Sequence, residues 1–394
     1  MKNKLLFEQL KNFVNQLPCA QDPYGQKAIA LEIKSNYGTY GDAQNYGRLY
    51  NDLIELAKTG TPLDKIKIFV EDCALNCDED IHSGEKPFED LCAASNHPLQ
   101  VLEAENKELQ SMLEKALSSH EDKEALKDSI WGVSVHDMKK GDLLYPTLKV
   151  RHGFPAGHDY LWDRDIELRT HYSGLMRQDQ QDAHWDIHMD EVLHSMEDML
   201  WIENNLLYPL CALAFDEADW QEIYQNAKDY PDCLNVKADI WDKGEEFKKA
   251  PLPDPDQKVV LGGGTLTAGQ LNVMLNSLPI ELTFVDVNNK NVYFNEGHKA
   301  FKRPTIAIGH EVFECHPAKV GAMVKGMLED FKSGKKDVVH IWMNKQNQPY
   351  YVIYMALRDE QKTYMGTLEI VQPMEFAKEH FAASNEVKKQ IKSW

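Results

Sequence analysis

The 394-residue sequence predicts a multidomain chain: an all-α N-terminal domain, a four-helix bundle, and a C-terminal α+β domain built on a five-stranded antiparallel sheet. Three observations predict it. Helical periodicity, with caps and stops, runs from the N-terminus to about residue 235 and includes four long amphipathic patterns joined by short connections. The stretch Lys249-Ala250-Pro251-Leu252-Pro253-Asp254-Pro255-Asp256 then breaks all periodicity with three prolines and reads as a linker. After Thr265 the period changes from helical to alternating. At roughly 150 residues per domain the length accommodates two or three domains. The sequence divides into 1–92, 93–235, a linker over 236–264, and 265–394.

In the first segment the best helix opens at Thr61-Pro62-Leu63-Asp64, with a capping Thr, a Pro in the first turn and an acid at the third position. Ile66, Phe69, Val70 and Cys73 form its apolar stripe. Its partner is expected over Tyr46 to Lys58, with Leu49, Leu53, Ile54 and Leu56 facing in and a stop at Gly60. The second segment begins with a cap at Ser95 or Asn96, Pro98 in the first turn, and Leu99, Leu102, Leu109, Met112 and Leu113 behind. A second helix is expected from about Asp122 to Leu144, with a stop at Tyr145-Pro146. The third lies between Pro155 and Gln178. The fourth runs from about Asp182 to Tyr208 and ends at Pro209, and a further helix over Asp219 to Ala227 closes the bundle.

The third segment opens with a helix over Gln270 to Leu278. An alternating strand, Ile280 to Asp286, turns through Asn288-Asn289-Lys290 into a second strand, Asn291 to Asn295. Short helices follow, then strands over Val338 to Asn344, Tyr350 to Arg358 and Tyr364 to Val371. Two strands, a helical crossover and three strands specify a five-stranded antiparallel sheet with helices on one side. Gly262-Gly263-Gly264 lacks the strand and helix context of a phosphate loop and reads as a plain glycine run.

Composition narrows the function classes. Lys plus Arg number 43 against 63 Asp plus Glu, a formal charge of −20, and no dense basic cluster appears, so no nucleic-acid partner is expected. No apolar run approaches the roughly 20 residues of a membrane span, and the N-terminal stretch reads as an amphipathic helix. No membrane partner is therefore expected, and the cytoplasm is the expected location. Seven scattered cysteines fit reduced thiols, with Cys73 and Cys77 as core packing. No Gly-x-Ser-x-Gly elbow, Gly-Lys-Ser/Thr loop or His-Glu-x-x-His motif is present, so the chain is not expected to be an enzyme.

Leu278-Pro279-Ile280-Glu281-Leu282-Thr283-Phe284-Val285-Asp286, Val292-Tyr293-Phe294-Asn295, Ile308-Gly309-His310, Cys315-His316-Pro317, Phe331-Lys332-Ser333-Gly334-Lys335 and Gly366-Thr367-Leu368-Glu369 together resemble a PAS domain. The set is similar to the PAS subtype at the C-terminus of bacterial DUF438 proteins. In those proteins a DUF438 helical domain and a hemerythrin-like bundle come first, and the order here is the same. Thr61-Pro62-Leu63-Asp64-Lys65-Ile66 resembles the first domain. His97-Pro98 with Glu105-Asn106, Leu143-Leu144-Tyr145-Pro146, Leu161-Trp162 and Glu203 through Pro209 resemble the bundle.

A di-iron bundle needs imidazoles and carboxylates pointing inward from facing helices. Antiparallel packing brings the start of the first bundle helix, the end of the second, the start of the third and the end of the fourth to one level. His97, His136, Asp165 and Glu203 are the expected metal ligands there, with Asp142 and His158 nearby. Gln100, Gly141 and Asn204 stand where the family often carries a further His, Glu and acid, so the expected iron site is mono- or dinuclear and incomplete. His184, His188, Glu191 and His194 share a helix face and read as solvated.

For the PAS segment the resemblance implies a small ligand or cofactor held between sheet and helices. The expected lining includes Phe284, Phe294, Ile341 and Met343, with Phe301, Phe313, Met323, Met327, Ile353 and Met355 beside them. Cys315 and His316 are the expected haem ligands or redox-sensitive residues. The expected function is a sensory or adaptor protein that reads a gas, redox state, metal or small ligand and signals through a protein partner or a self-dimer. The alternative is a di-iron protein handling oxygen, nitric oxide or peroxide directly.

Overall fold

Helix starts follow from side chains that satisfy the first, otherwise orphaned, N–H groups. Asp42 accepts from Gln44, Asp182 from His184 and Trp185, and Asp216 forms a reciprocal capping box with Asp219. Thr267 forms another with Gln270. The structure, a computed structural model, describes residues 2–17, 23–38, 42–74, 87–119, 123, 126–154, 160–178, 182–247, 254–296, 301, 305–316, 318–345 and 348–382. The chain forms two compact units, Met1–Phe247 and Lys248–Trp394.

The first unit is helical: α1 (Lys2–Gln16), α2 (Pro23–Tyr37), α3 (Ala43–Lys58), α4 (Leu63–Ile68), α5 (Pro87–Ala93), α6 (Pro98–Ser118), α7 (Ile130–Lys139), α8 (Tyr145–Val150), α9 (Trp162–Leu175), α10 (Ala183–Ile202), α11 (Tyr208–Ala214), α12 (Glu217–Ala227) and α13 (Asp242–Glu245). The segments expected to be separate, 1–92 and 93–235, share one hydrophobic core that runs from Leu10 and Leu53 through Leu113 and Leu206 to Trp241. Polar ties cross the same divide, with Lys67 2.8 Å from Asp198 and the Tyr46 hydroxyl donating to the Asn205 carbonyl at 3.2 Å. The linker expected from residue 236 is ordered at its start: Trp241 is buried, and α13 packs on Tyr224 with no room for a Cβ at Gly244.

The two prolines expected to stop helices do not stop them. A π-helical turn, Lys140–Leu144, joins α7 to α8, and another, Glu203–Leu207, joins α10 to α11. Pro146 and Pro209 have no N–H for the carbonyl four residues back. Each chain widens by one residue just before its Tyr-Pro pair instead, so that the Tyr145 N–H bonds the Lys140 carbonyl and the Tyr208 N–H bonds the Glu203 carbonyl. The helices therefore pass the prolines and end at Val150 and Ala214.

The second unit opens with a hairpin, β1 (Lys258–Leu261) and β2 (Gly264–Thr267), whose two-residue turn is Gly262-Gly263. The first two glycines of the run thus supply the turn and the third opens β2. Helix α14 (Ala268–Asn276) precedes β3 (Glu281–Asp286) and β4 (Asn291–Phe294). Helix α15 (Ala318–Lys332) is the crossover to β5 (Val338–Lys345), β6 (Gln348–Arg358) and β7 (Tyr364–Pro373), and α16 (Glu375–Ala382) follows. All sheet pairings are antiparallel and the strand order is β4-β3-β7-β6-β5, the expected sheet. Asp286 shapes the β3–β4 turn by accepting from the N–H groups of Asn288 and Lys290, both at 2.8 Å, and Asn289 takes a positive φ of 64°.

Candidate functional site

Helices α6, α7, α9 and α10 bring a set of ionisable side chains to one buried level. His136 sits at its centre, wholly buried, with Nδ1 2.7 Å from Glu105 Oε2 and Nε2 3.5 Å from Glu203 Oε2. Lys140 is equally inaccessible and lies against three carboxylates: Glu203 in close contact, Asp137 at 3.1 Å and Asp165 at 3.4 Å. Lys139 pairs with the other oxygen of Glu105, and Arg169 holds Asp137 at 3.0 Å. Neutral donors complete the set. The Tyr145 hydroxyl donates to Asp165 at 2.8 Å, and Asn106 donates to Glu203 at 3.0 Å.

Electrostatics follow from this geometry. Burial would push the His136 imidazole down, but the Glu105 and Glu203 carboxylates override it and raise it to about 9. Burial likewise opposes charge on Glu203, yet Lys140 and His136 hold it at about 2. Asp165 is pushed up to about 7 by burial, which Lys140 only partly offsets. Lys140 is held well above its ordinary value by Asp165, Glu203 and Asp137 against the same desolvation.

Of the four expected metal ligands, the structure brings together His136, Asp165 and Glu203 and leaves out His97. The His97 ring caps α6, with Nδ1 accepting from the Leu99 N–H at 3.1 Å, and packs edge-on against Trp220 and Trp241 beside a cavity of about 780 Å³. Burial lowers it to about 4, so it is neutral. Two turns further along α6, Glu105 is the residue that reaches His136. Asp142 accepts from Tyr230 at 2.6 Å, and His158 lies outside the described residues. His184, His188, Glu191 and His194 are all exposed, as expected. Gly141 is explained by packing: a Cβ there would stand 2.6 Å from the Trp162 indole nitrogen. Gly141→Ala is expected to cost about 1–3 kcal/mol by overpacking, measured by urea denaturation.

The lysines were missed because a Lys-Lys pair ordinarily reads as solvated surface. The signal that finds Lys140 is a repeat. Lys140-x-x-Leu143-Leu144-Tyr145-Pro146 and Glu203-x-x-Leu206-Leu207-Tyr208-Pro209 have the same pattern and the same π turn, and their leading residues form an ion pair.

The arrangement suits a metal poorly. An imidazole flanked on both nitrogens by carboxylates is a cation with no lone pair to offer, and the adjoining cavity of about 20 Å³ has room for no more than a water. Among the described residues no group of three or more His, Cys, Asp and Glu side chains is disposed to hold a metal ion.

In the second unit, strand alternation fixes which side chains face α15. Val285 packs with Val324, Leu328 and Phe331, so Glu281, Thr283 and Val285 of β3 share the inner face. Register places Thr283 opposite Glu369, and Glu369 opposite Tyr354. This row crosses the sheet where two apolar clusters meet, one around Phe331 and the other of Tyr350, Val352 and Val371, with Tyr354 packed on both. Glu281 is buried in the adjacent row and accepts from the Phe301 N–H at 3.4 Å.

Phe294, Ile341 and Met343 lie on the inner face; the last two pack on the Tyr350 cluster. Phe284 does not. It alternates with Val285, pairs with Leu368 on the opposite face and leaves Gly366 beneath its ring. Ile353 and Met355 share that outer face, paired with Ile370 and Leu368, and Met323 is exposed. Phe301, Phe313 and Met327 are half-buried at the two clusters. The His316 ring sits with Nδ1 2.7 Å from the Val312 carbonyl, anchored to its own turn, and the side chain of Cys315 lies outside the described residues.

Residues 271–375 match the family described as the PAS domain. A solved structure, the crystal structure of a C-terminal domain from Streptococcus mutans, is 34% identical over 32% of this chain and 98% of its own, with a TM-score of 0.31. No curated protein matches the chain. Among the described residues no helix is long and apolar enough to cross a membrane.

Proposed function

From the PAS domain formed by residues 271–375, we propose that this protein is a sensory or signalling adaptor. Its PAS domain takes a small hydrogen-bonding ligand against the inner face of the sheet and passes the change in packing to a partner protein or a second copy. The observation that supports this reading is the row Thr283–Glu369–Tyr354, with Glu281 beside it, which puts hydroxyls and two carboxylates on the inner face where the two apolar clusters meet at Tyr354. Glu281 and Thr283 are buried and Glu369 and Tyr354 half-buried, so a ligand on this face meets carboxylate and hydroxyl groups as well as apolar ones. A ligand offering N–H or O–H donors matches this face. The apolar plane of haem matches it poorly, because Glu281 and Glu369 would lie against the macrocycle.

The test is native mass spectrometry and absorption spectroscopy of the intact protein as purified. The expected result is a bound organic species with no haem absorption. Glu369→Leu is expected to reduce its retention about tenfold, the loss of one charged hydrogen-bond partner. A bare polypeptide mass, or a haem band lost on Cys315 or His316 substitution, would replace this reading.

A further inference from the structure

The polar layer of the helical unit contains the residue types of a metal centre but the arrangement of an internal salt. We infer that Lys140 is the resident cation of this layer: its ammonium takes the place among Glu203, Asp165 and Asp137 that a divalent ion would need, and removing it turns the layer into a divalent-cation site.

Three observations carry this. The first is convergence. Carboxylates from α7, α9 and the π turn after α10 meet at one Nζ, with oxygens from Asp137 and Asp165 at 3.1 and 3.4 Å and Glu203 closer still. Oxygens from three separate segments gathered around one point are what a hard cation requires, and a lysine ammonium is a compact point charge that satisfies the same geometry.

The second is charge balance. Among the described residues, the carboxylates of the layer are Glu105, Asp137, Asp165 and Glu203, and the cations paired with them are His136, Lys139, Lys140 and Arg169. Four face four. A divalent ion added to this set would leave a buried excess of positive charge with no counter-ion, which is strongly unfavourable in a desolvated interior.

The third is space and position. The remaining cavity of about 20 Å³ has no volume for an ion and its ligands. The ammonium arrives there by design of the backbone, because Lys140 opens the π turn before Tyr145-Pro146 as Glu203 opens the one before Tyr208-Pro209. Truncating Lys140 would free the side-chain volume and leave three carboxylates, with the His136 imidazole beside Glu203, facing a hole of net negative charge.

The experiment has two arms on the full-length chain. Elemental analysis of the wild-type protein from iron-supplemented cells is expected to find less than about one tenth of a metal per chain, as an internally neutral layer predicts. Lys140→Ala and Lys140→Gln are then dialysed against Co²⁺ alone. One Co²⁺ per chain, visible d–d absorption and a metal-dependent rise in melting temperature are expected in at least one variant, and none of these in the wild type. The Gln variant keeps most of the volume and a donor, so the arm survives if the Ala variant does not fold. Stoichiometric iron in the wild type would overturn the inference, as would failure of both variants to take Co²⁺.

Discussion

Replacing Lys140 with Met is expected to cost about 3–5 kcal/mol of folding stability, the usual penalty for breaking a buried ion pair by removing one partner. The residue is 1% exposed, and methionine nearly matches its length, so the change isolates charge from volume. Without the ammonium, Glu203 keeps His136, Asn106 and the Tyr208 hydroxyl at 3.4 Å, whereas Asp165 keeps the Tyr145 hydroxyl and Asp137 keeps Arg169. Urea denaturation at pH 7 measures the loss. Adding Glu203→Gln to Lys140→Met should recover a large part of it, because the second change removes the charge that the first left stranded. A Lys140→Met loss below about 1 kcal/mol would show that the ammonium neutralises nothing.

Stability is expected to fall by about 3 kcal/mol between pH 6 and pH 10, through His136. Its folded pKa is raised from 6.5 to about 9, so the folded state binds the proton more tightly. That contribution is fully present below pH 6.5 and is lost as pH rises through 9. Asp165 adds in the same sense at lower pH: raised from 3.8 to about 7, it makes folding less favourable as pH climbs through that interval. Glu203 acts at the other end, lowered from 4.5 to about 2, so its contribution is present above 4.5 and lost as pH falls through 2. Urea midpoints taken from pH 6 to 10 test the His136 part. His136→Asn should flatten the curve over that interval, and an unchanged slope in the variant would assign it elsewhere.

The sheet was legible because its cues are local. Asn288-Asn289-Lys290 fixes one hairpin, and alternation within each strand does the rest. The side of the sheet on which a given residue falls is not local. Phe284 and Val285 are equally apolar neighbours, and only the packing of Val285 on α15 decides that Phe284 faces away. In the bundle, the shared level of His136, Asp165 and Glu203 followed from antiparallel connectivity. His97 was misplaced because a residue at a helix cap is fixed by backbone capping and by the indoles beside it, eight residues before the position that meets the cluster. Prolines were read as stops because sequence patterns carry no sign that a helix will widen to go around one. The lysines are harder to find because most of their carboxylate partners, Glu105 for Lys139 and Asp165 and Glu203 for Lys140, are distant in sequence.

One core threading both halves of the helical unit has a practical bearing on how the protein is dissected. A fragment that starts or stops near residue 92 would lay bare greasy surface that its own sequence has nothing to cover, and such pieces tend to clump in the test tube. The workable boundary for a fragment is after Phe247, where the two compact units divide.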